Sequence, residues 1–387
     1  MKNLVVISQV PVDINHQCTA DLSLNKILMS YKRHFEEVHY IGPGIEEITR
    51  VPGISDGTYL STISNYAETI PKRITYYFKY LFVKRRFCDL IKSYQADIIQ
   101  LRLPSLFSIA AYPVIRKLGL PLTTYIAGDW RAAFPANYQF PGNHLVATWL
   151  DKLQQPIIKN SISVMAGPVL AKRYAGLVDS HPYFSTTHQQ IFNKSPNFPP
   201  SNLIFVGILE PLKHLCDAIE AVRLLKKQGV NVTFTIVGDG PIRKQMEELV
   251  NKQKLSKCIL FKGYIHDSNQ LKQEYMAADI LLLPSISEGT PKVLAEAMSC
   301  GVVPIAVAGV GSNDYIIEHG RNGLLTPANS PGAIADNIKL LRSSWETYTS
   351  IVDQGYAYAE SHTLDKEVDE LWGFVNSKIK DRNNSGI

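Results

Sequence analysis

Apolar residues in this chain gather in short runs rich in valine, isoleucine and leucine. Between the runs, apolar positions recur at helical spacing. Runs of this kind read as strands buried on both faces, and alternation with helices predicts mostly parallel sheets. In the first half the runs fall at residues 4–8, 97–101, 122–126 and 162–166. The stretch 195–202, Ser-Pro-Asn-Phe-Pro-Pro-Ser-Asn, then breaks the pattern. Three prolines without apolar periodicity suit a semi-rigid crossing between domains. Beyond it the alternation restarts, with strands at 203–206, 232–237, 259–261, 280–283 and 302–305 and helices at 214–228, 241–253, 268–277 and 291–299. Residues 345–361 and 364–378 read as terminal helices. The division expected is a domain at 1–195, a linker at 196–202, a second domain at 203–362 and a last helix at 363–380.

The segment around Glu288 carries most of the chemistry. Asp279-Ile280-Leu281-Leu282-Leu283-Pro284 reads as a buried strand, and Ser287-Glu288-Gly289-Thr290-Pro291 as the loop that follows. Lys292-Val293-Leu294-Ala295-Glu296-Ala297 reads as a helix, with Pro291 at its first turn. A helix opened this way points free backbone N–H groups and a partial positive charge beyond the strand end, which seats a phosphate. Glu288 lies beside that seat. Glu296 lies between one and two turns into the helix, where its carboxylate can accept from a diol. A phosphate flanked by two hydroxyl-binding carboxylates suits a nucleotide sugar. The plainer reading is a surface helix with solvated acids.

The neighbourhood decides between them. The run 284–291, followed by Leu294-Ala295-Glu296-Ala297-Met298-Ser299-Cys300-Gly301, resembles the donor-binding signature of family 4 of the retaining glycosyltransferases, enzymes of the GT-B fold. Val237-Gly238-Asp239-Gly240-Pro241 is similar to the family's glycine loop, and Phe261-Lys262-Gly263-Tyr264-Ile265 to the segment whose backbone meets the nucleobase. Gly309-Val310-Gly311-Ser312-Asn313 and the turn at 320–327 are similar to its later turns. The resemblance covers residues 203–328; the first half matches in outline. It implies two doubly wound Rossmann-like domains with a cleft between them, and the last helix crossing back onto the first domain.

The resemblance also implies roles. Lys213 matches the phosphate-binding lysine. Glu288 would hold sugar hydroxyls, helped by the backbone of Gly289, Thr290, Pro291 and Lys292. The amides of Val293 and Leu294 would face the diphosphate, and Glu296 would take the ribose diol. Gly238, Tyr264 and Ile265 complete the donor side. Two departures stand out. Ile208 occupies the place of the family's usual arginine, and only an arginine can fork two phosphate oxygens. Lys292 is the nearest substitute. His214 stands where the family has a glycine.

In the first half, Asp129 follows the strand at 122–126 and is a candidate for orienting sugar or acceptor, with a helix cap as the rival reading. Arg102 and His16 are placed to meet an acceptor. The family's glycine pair after the first strand and its cleft histidine are missing.

Charge is uneven. Residues 1–195 carry 21 Lys+Arg against 13 Asp+Glu, while the remainder carries 19 against 22. The basic half points to a glycan or lipid-linked acceptor bearing phosphate, or to an anionic membrane surface. No nucleic-acid motif is present. Residues 72–92 hold seven bases against Asp89 alone. As one helix, they would place Ile74, Tyr77, Phe78, Leu81 and Cys88 on one stripe, and Tyr76, Tyr80, Val83 and Phe87 on the opposite one. One stripe is core, and the other is open to a membrane interface or to burial.

No apolar run approaches a membrane span, and the N-terminus reads as a strand rather than a signal segment. The five cysteines are scattered, without Cys-x-x-Cys, so neither disulfides nor zinc follow and a cytoplasmic location is expected. No two aspartates are separated by one residue, so the Asp-x-Asp metal motif is absent.

The expectation is a retaining, metal-independent glycosyltransferase, without cofactor. Its donor would be a nucleotide diphosphate sugar, and its product a polysaccharide, lipopolysaccharide or glycolipid. It would be cytoplasmic, or peripheral on the membrane's inner face. The alternatives are a non-catalytic nucleotide-binding partner or scaffold of another transferase, and a sugar-nucleotide epimerase.

Overall fold

The computed structural model describes residues 2–13, 18–19, 21–44, 48–53, 55–64, 84–138 and 140–384. The chain divides into two compact units, Met1–Phe184 with Leu364–Ile387, and Ser185–Thr363.

In the first unit the strands are β1 (Asn3–Ile7), β2 (Val12–Asp13), β3 (Cys18–Thr19), β4 (Glu37–Gly44), β5 (Ile48–Pro52), β6 (Thr58–Ser64), β7 (Ile98–Leu103), β8 (Leu122–Ile126), β9 (Ile162–Ala166) and β10 (Ser180–Tyr183). Eight of them form one sheet in the order β10-β9-β8-β7-β1-β4-β6-β5, parallel except for β5 against β6. Strands β1, β8 and β9 are buried along almost their whole length, as helices on both sheet faces require. The helix Leu364–Asn384 belongs to this unit. Its Trp372 is fully buried and meets Tyr31 and Phe35 edge-on, with ring centroids 5.2 and 4.7 Å away. Asp365 and Asp369 receive Arg33 at 2.6 and 2.8 Å.

The second unit holds β11 (Asn202–Val206), β12 (Thr233–Val237), β13 (Ile259–Gly263), β14 (Ile280–Leu283), β15 (Val303–Val307) and β16 (Leu324–Thr326). They pair in parallel in the order β13-β12-β11-β14-β15-β16. Numbered within the unit, that is 3-2-1-4-5-6, the doubly wound order of dinucleotide-binding folds.

The stretch expected to link the domains lies inside the second unit. The buried Asp279 carboxylate accepts from Ser201 N and Asn202 N at 2.8 and 2.9 Å and from Asn197 Nδ2 at 3.2 Å. Arg342 donates to Pro200 O at 2.6 Å. The prolines remove backbone donors, but side chains far along the chain still tie the segment to the sheet.

The helix expected over 72–92 is seen as Lys84–Ser93, and residues 65–83 lie outside the described ones. Phe87, placed on the stripe that was open to a membrane, is fully buried and packs edge-on against Phe107. Its neighbours Leu90 and Ile91 are core as well, so this end of the stripe is buried.

Candidate active site

Ligands of a doubly wound sheet bind beyond the strands' carboxyl ends, where the strand order reverses. In the second unit that point lies between β11 and β14. The sequence places its candidates on these two strand ends. After β11 the chain runs through Gly207 and Ile208 into a single 3-10 turn, Pro211–Lys213. After β14 it runs through Ser285 and Glu288 to the helix Lys292–Met298, whose N-cap is Pro291.

Backbone contact locks the two loops. Ile286 N donates to Leu212 O at 3.0 Å. Lys213 Nζ and Glu288 Oε1 then meet at 2.7 Å, with 21% and 10% of their side chains exposed. An ammonium has three N–H donors, so this contact leaves two for a ligand. The predicted phosphate binder and sugar binder therefore form one part-buried ion pair, 75 residues apart in sequence.

Close approach of loops explains the glycines. A Cβ on Gly238 would sit 1.9 Å from Gly207 O, and one on Gly311 would sit 2.4 Å from Gly289 O. Ser312 N donates to Gly289 O at 2.9 Å, and the hydroxyls of Thr290 and Ser312 lie 3.2 Å apart. The turn that carries Glu288 is thus braced by the loop after β15. Asp239, beside Gly238, takes Gly240 N and Arg243 Nη1, each at 2.8 Å. These bonds hold its carboxyl below the usual range and make it a turn aspartate.

Glu296 is held by two hydroxyls. Its Oε2 accepts from Tyr275 at 3.1 Å, and Oε1 accepts from Thr187. Burial, and then the Glu296 charge, raises the Tyr275 phenol well above its ordinary value, so it stays a neutral donor. A carboxylate offers about four acceptor positions, so two hydroxyls leave room for a diol. Sequence reasoning missed Thr187 and Tyr275. They lie 109 and 21 residues away, and nothing in either's local pattern signals the contact.

Lys292, Val293 and Leu294 open the helix after Pro291, while Tyr264 and Ile265 directly follow β13. Tyr264 is exposed, with its ring edge-on to His266 at 4.5 Å, and Ile265 is half-buried. Ile208 is 56% exposed. Among the described residues, His214, Cys216 and Asp217 bring a ring nitrogen, a thiol and a carboxylate within 4.8 Å of one another beside Lys213. The cysteine spacing gave no sign of this group. Burial, then Asp217, pushes the Cys216 thiol up.

In the first unit the strand order reverses between β1 and β7. Arg102 lies on β7 with its guanidinium 4.3 Å over the Tyr125 ring, and its Nη1 is buried with no protein partner. A buried donor of this kind calls for an acceptor. Asp129 takes the rival reading: it is the N-cap of the helix Trp130–Asn137, accepting from Arg131 N at 2.7 Å. Its other oxygen pairs with Arg173, so both oxygens serve the fold. His16 lies outside the described residues.

The profile of the family described as Glycosyl transferases group 1 matches residues 188–358. The second unit belongs to the group 1 glycosyltransferases. Protein CapJ of Staphylococcus aureus is 27% identical over 66% of this chain and 64% of its own length. The amylovoran biosynthesis glycosyltransferase AmsK of Erwinia amylovora is 33% identical over 35% of this chain and 34% of its own. The chain spans less than two thirds of the length of the curated relatives it matches. Among solved structures, Anabaena Alr3699/HepE in complex with UDP covers 97% of this chain and 100% of its own at 16% identity, with a TM-score of 0.68. At that identity the likeness shows fold alone, and the fold is GT-B. Within the group 1 glycosyltransferase domain, the Lys213–Glu288 pair and Glu296 lie on the two loops and the short helix described above.

Proposed function

We propose that this chain transfers a sugar, with retention, from a nucleotide diphosphate sugar to an acceptor hydroxyl in the assembly of a surface polysaccharide or lipid-linked glycan. The Lys213–Glu288 ion pair at the strand-order reversal carries the reading. A leaving diphosphate gains charge as the glycosidic bond breaks, and a pre-placed ammonium beside it lowers that barrier. Lys213 supplies the ammonium, and Glu288 fixes its position while offering its second oxygen to a sugar hydroxyl. Glu296 takes the ribose diol. With Lys213 in this role the transfer needs no metal. Arg102, with its unpartnered Nη1, serves an anionic acceptor. The relative AmsK, named for amylovoran biosynthesis, supports a polysaccharide product.

The test is release of nucleotide diphosphate from a panel of nucleotide sugars, with the anomeric configuration of the product read by NMR. Release in the presence of a chelator, with the anomeric configuration kept, is the expected result. The exposed Ile208, at the place of the usual arginine, favours a second reading, a nucleotide-binding partner of another transferase. Nucleotide binding without release from any donor would establish that reading instead.

Two variants probe the site. Ile208→Arg places a guanidinium on an exposed position and should leave stability unchanged. A charge-assisted hydrogen bond contributes about 1.5–3 kcal/mol, so nucleotide diphosphate affinity should rise roughly tenfold. No gain in calorimetry would mean that the diphosphate does not pass Ile208. Glu296→Ala should weaken the same affinity about tenfold and also destabilise the second unit. The buried Tyr275 hydroxyl loses its acceptor, at about 1–3 kcal/mol. Urea unfolding measures the second effect, and unchanged affinity would remove the diol role.

A further inference from the structure

The helix Asn143–Lys159 of the first unit buries one face, with Ala147, Leu150, Gln154, Ile157 and Ile158 at its centre. Its outward face is unusual. At 100° per residue, Leu145, Trp149, Lys152, Pro156 and Lys159 fall within about 80° of one another, and all five are exposed. Leu145 is 77% exposed and Trp149 44%, and Phe140 just before the helix is 45% exposed. One exposed leucine is ordinary. An exposed leucine, tryptophan and phenylalanine at one end of a helix, with lysines at the other, form an amphipathic patch.

Charge extends the patch. The helix packs against Leu106–Leu118 and Trp130–Asn137, and Leu106–Leu118 packs in turn against Lys84–Ser93. These four helices hold nine Lys/Arg and two acids, Asp89 and Asp151. Asp151 is buried and held by Arg131 at 3.2 Å and the Tyr174 hydroxyl at 2.6 Å, so it adds no outward negative charge. Arg116 and Lys117 are exposed at the end of the neighbouring helix.

We propose that this face docks the first unit on an anionic bilayer, with Phe140, Leu145 and Trp149 in the headgroup region and Lys152, Lys159 and Arg116 on lipid phosphates. Tryptophan is favoured at that depth, and bases are drawn to anionic headgroups. A second copy of the chain is a poor occupant, since two such faces would repel. The proposal stands independently of the transferase reading.

The test is sedimentation of the full chain with phosphatidylcholine vesicles, with and without phosphatidylglycerol, at low salt. Binding to the anionic vesicles alone is expected, with a blue shift of tryptophan emission. Lys152→Glu with Lys159→Glu should weaken binding at least roughly 25-fold, since each base near such a surface contributes about fivefold. Leu145→Asn with Trp149→Gln should weaken it by about tenfold or more and abolish the blue shift. All four side chains are exposed, so thermal melting should match the parent. Were one pair of changes to lower the melting point, the other pair would decide. Absence of binding to anionic vesicles overturns the proposal. So does binding that survives both pairs of changes, which would place the contact elsewhere. A concentration-dependent dimer lost with Trp149→Gln, without vesicle binding, would assign the face to a second copy.

Discussion

Lys213→Ala should lower turnover on the order of a hundred-fold, the usual loss when one stabiliser of developing negative charge is removed. Donor affinity should fall less, because the lysine's contribution grows as charge moves onto the diphosphate. Steady-state kinetics gives the first quantity and calorimetry with the nucleotide diphosphate the second. Turnover of the parent's size would show that the diphosphate is held elsewhere. One complication follows from the geometry. Lys213 is the partner of Glu288, whose side chain is only 10% exposed. Removing the lysine leaves a carboxylate with little solvent and no counter-charge, which destabilises the loop. The double change Lys213→Met with Glu288→Met removes both charges and restores stability. Its turnover should stay low. Recovery of turnover along with stability would mean the lysine acts only through the fold.

The two loops that hold this pair were legible because the sheet behind them follows strong local rules. In the second unit, strands at 203–206 and 280–283 and the helix at 268–277 were read within a residue of where they lie, since continuous apolar runs and helical spacing dictate them. The first unit was harder. β4 ends in Gly-Pro-Gly, a combination that reads as a turn. It stays in the sheet because all three residues pair with β6, and a Cβ on Gly42 would meet Val10 O at 2.7 Å. β10 contains Pro182 and lies at the sheet's edge, where a missing donor is tolerated. The linker reading failed for a related reason. Local composition says proline-rich, but Asp279, about 80 residues on, supplies the bonds that anchor it.

The site shows the same division. Motif resemblance singled out Lys213, Glu288 and Glu296 as candidates, since each stands at a fixed offset from a strand or helix. Their mutual contacts were not legible. The Lys213–Glu288 bond spans 75 residues, and the hydroxyls on Glu296 come from Thr187, in a stretch without helix or strand, and from Tyr275, in the helix Ser268–Ala277. Asp129 was ambiguous because an aspartate at a strand's end is equally suited to a cap and to a ligand. The following helix and Arg173 take both of its oxygens.

Gly238→Ala should be the most damaging single methyl in the second unit. Gly238 has φ +135°, a conformation that L side chains rarely adopt. Backbone strain of that kind costs about 1–3 kcal/mol. Steric overlap adds to it. The new methyl would lie 1.9 Å from Gly207 O and 2.9 Å from the Gly207 carbonyl carbon. Both are backbone atoms, so no rotamer change relieves the contact. Gly207 is itself held, since its N–H donates to Val237 O at 3.0 Å, while Gly238 N donates to Gly263 O at 2.8 Å. Relief therefore requires the ends of β11, β12 and β13 to part. A loss of at least about 3 kcal/mol is expected, and for a unit of this size that lowers the midpoint by roughly 6–12 °C. Gly229→Ala is the matched control. Its φ is also positive, +74°, but no atom lies within 4 Å of the added methyl, so only strain remains. Calorimetric melting of the two variants separates strain from overlap. Equal losses would show that the β11 and β12 loops yield, and that the close approach of Gly207 and Gly238 does not hold the site together.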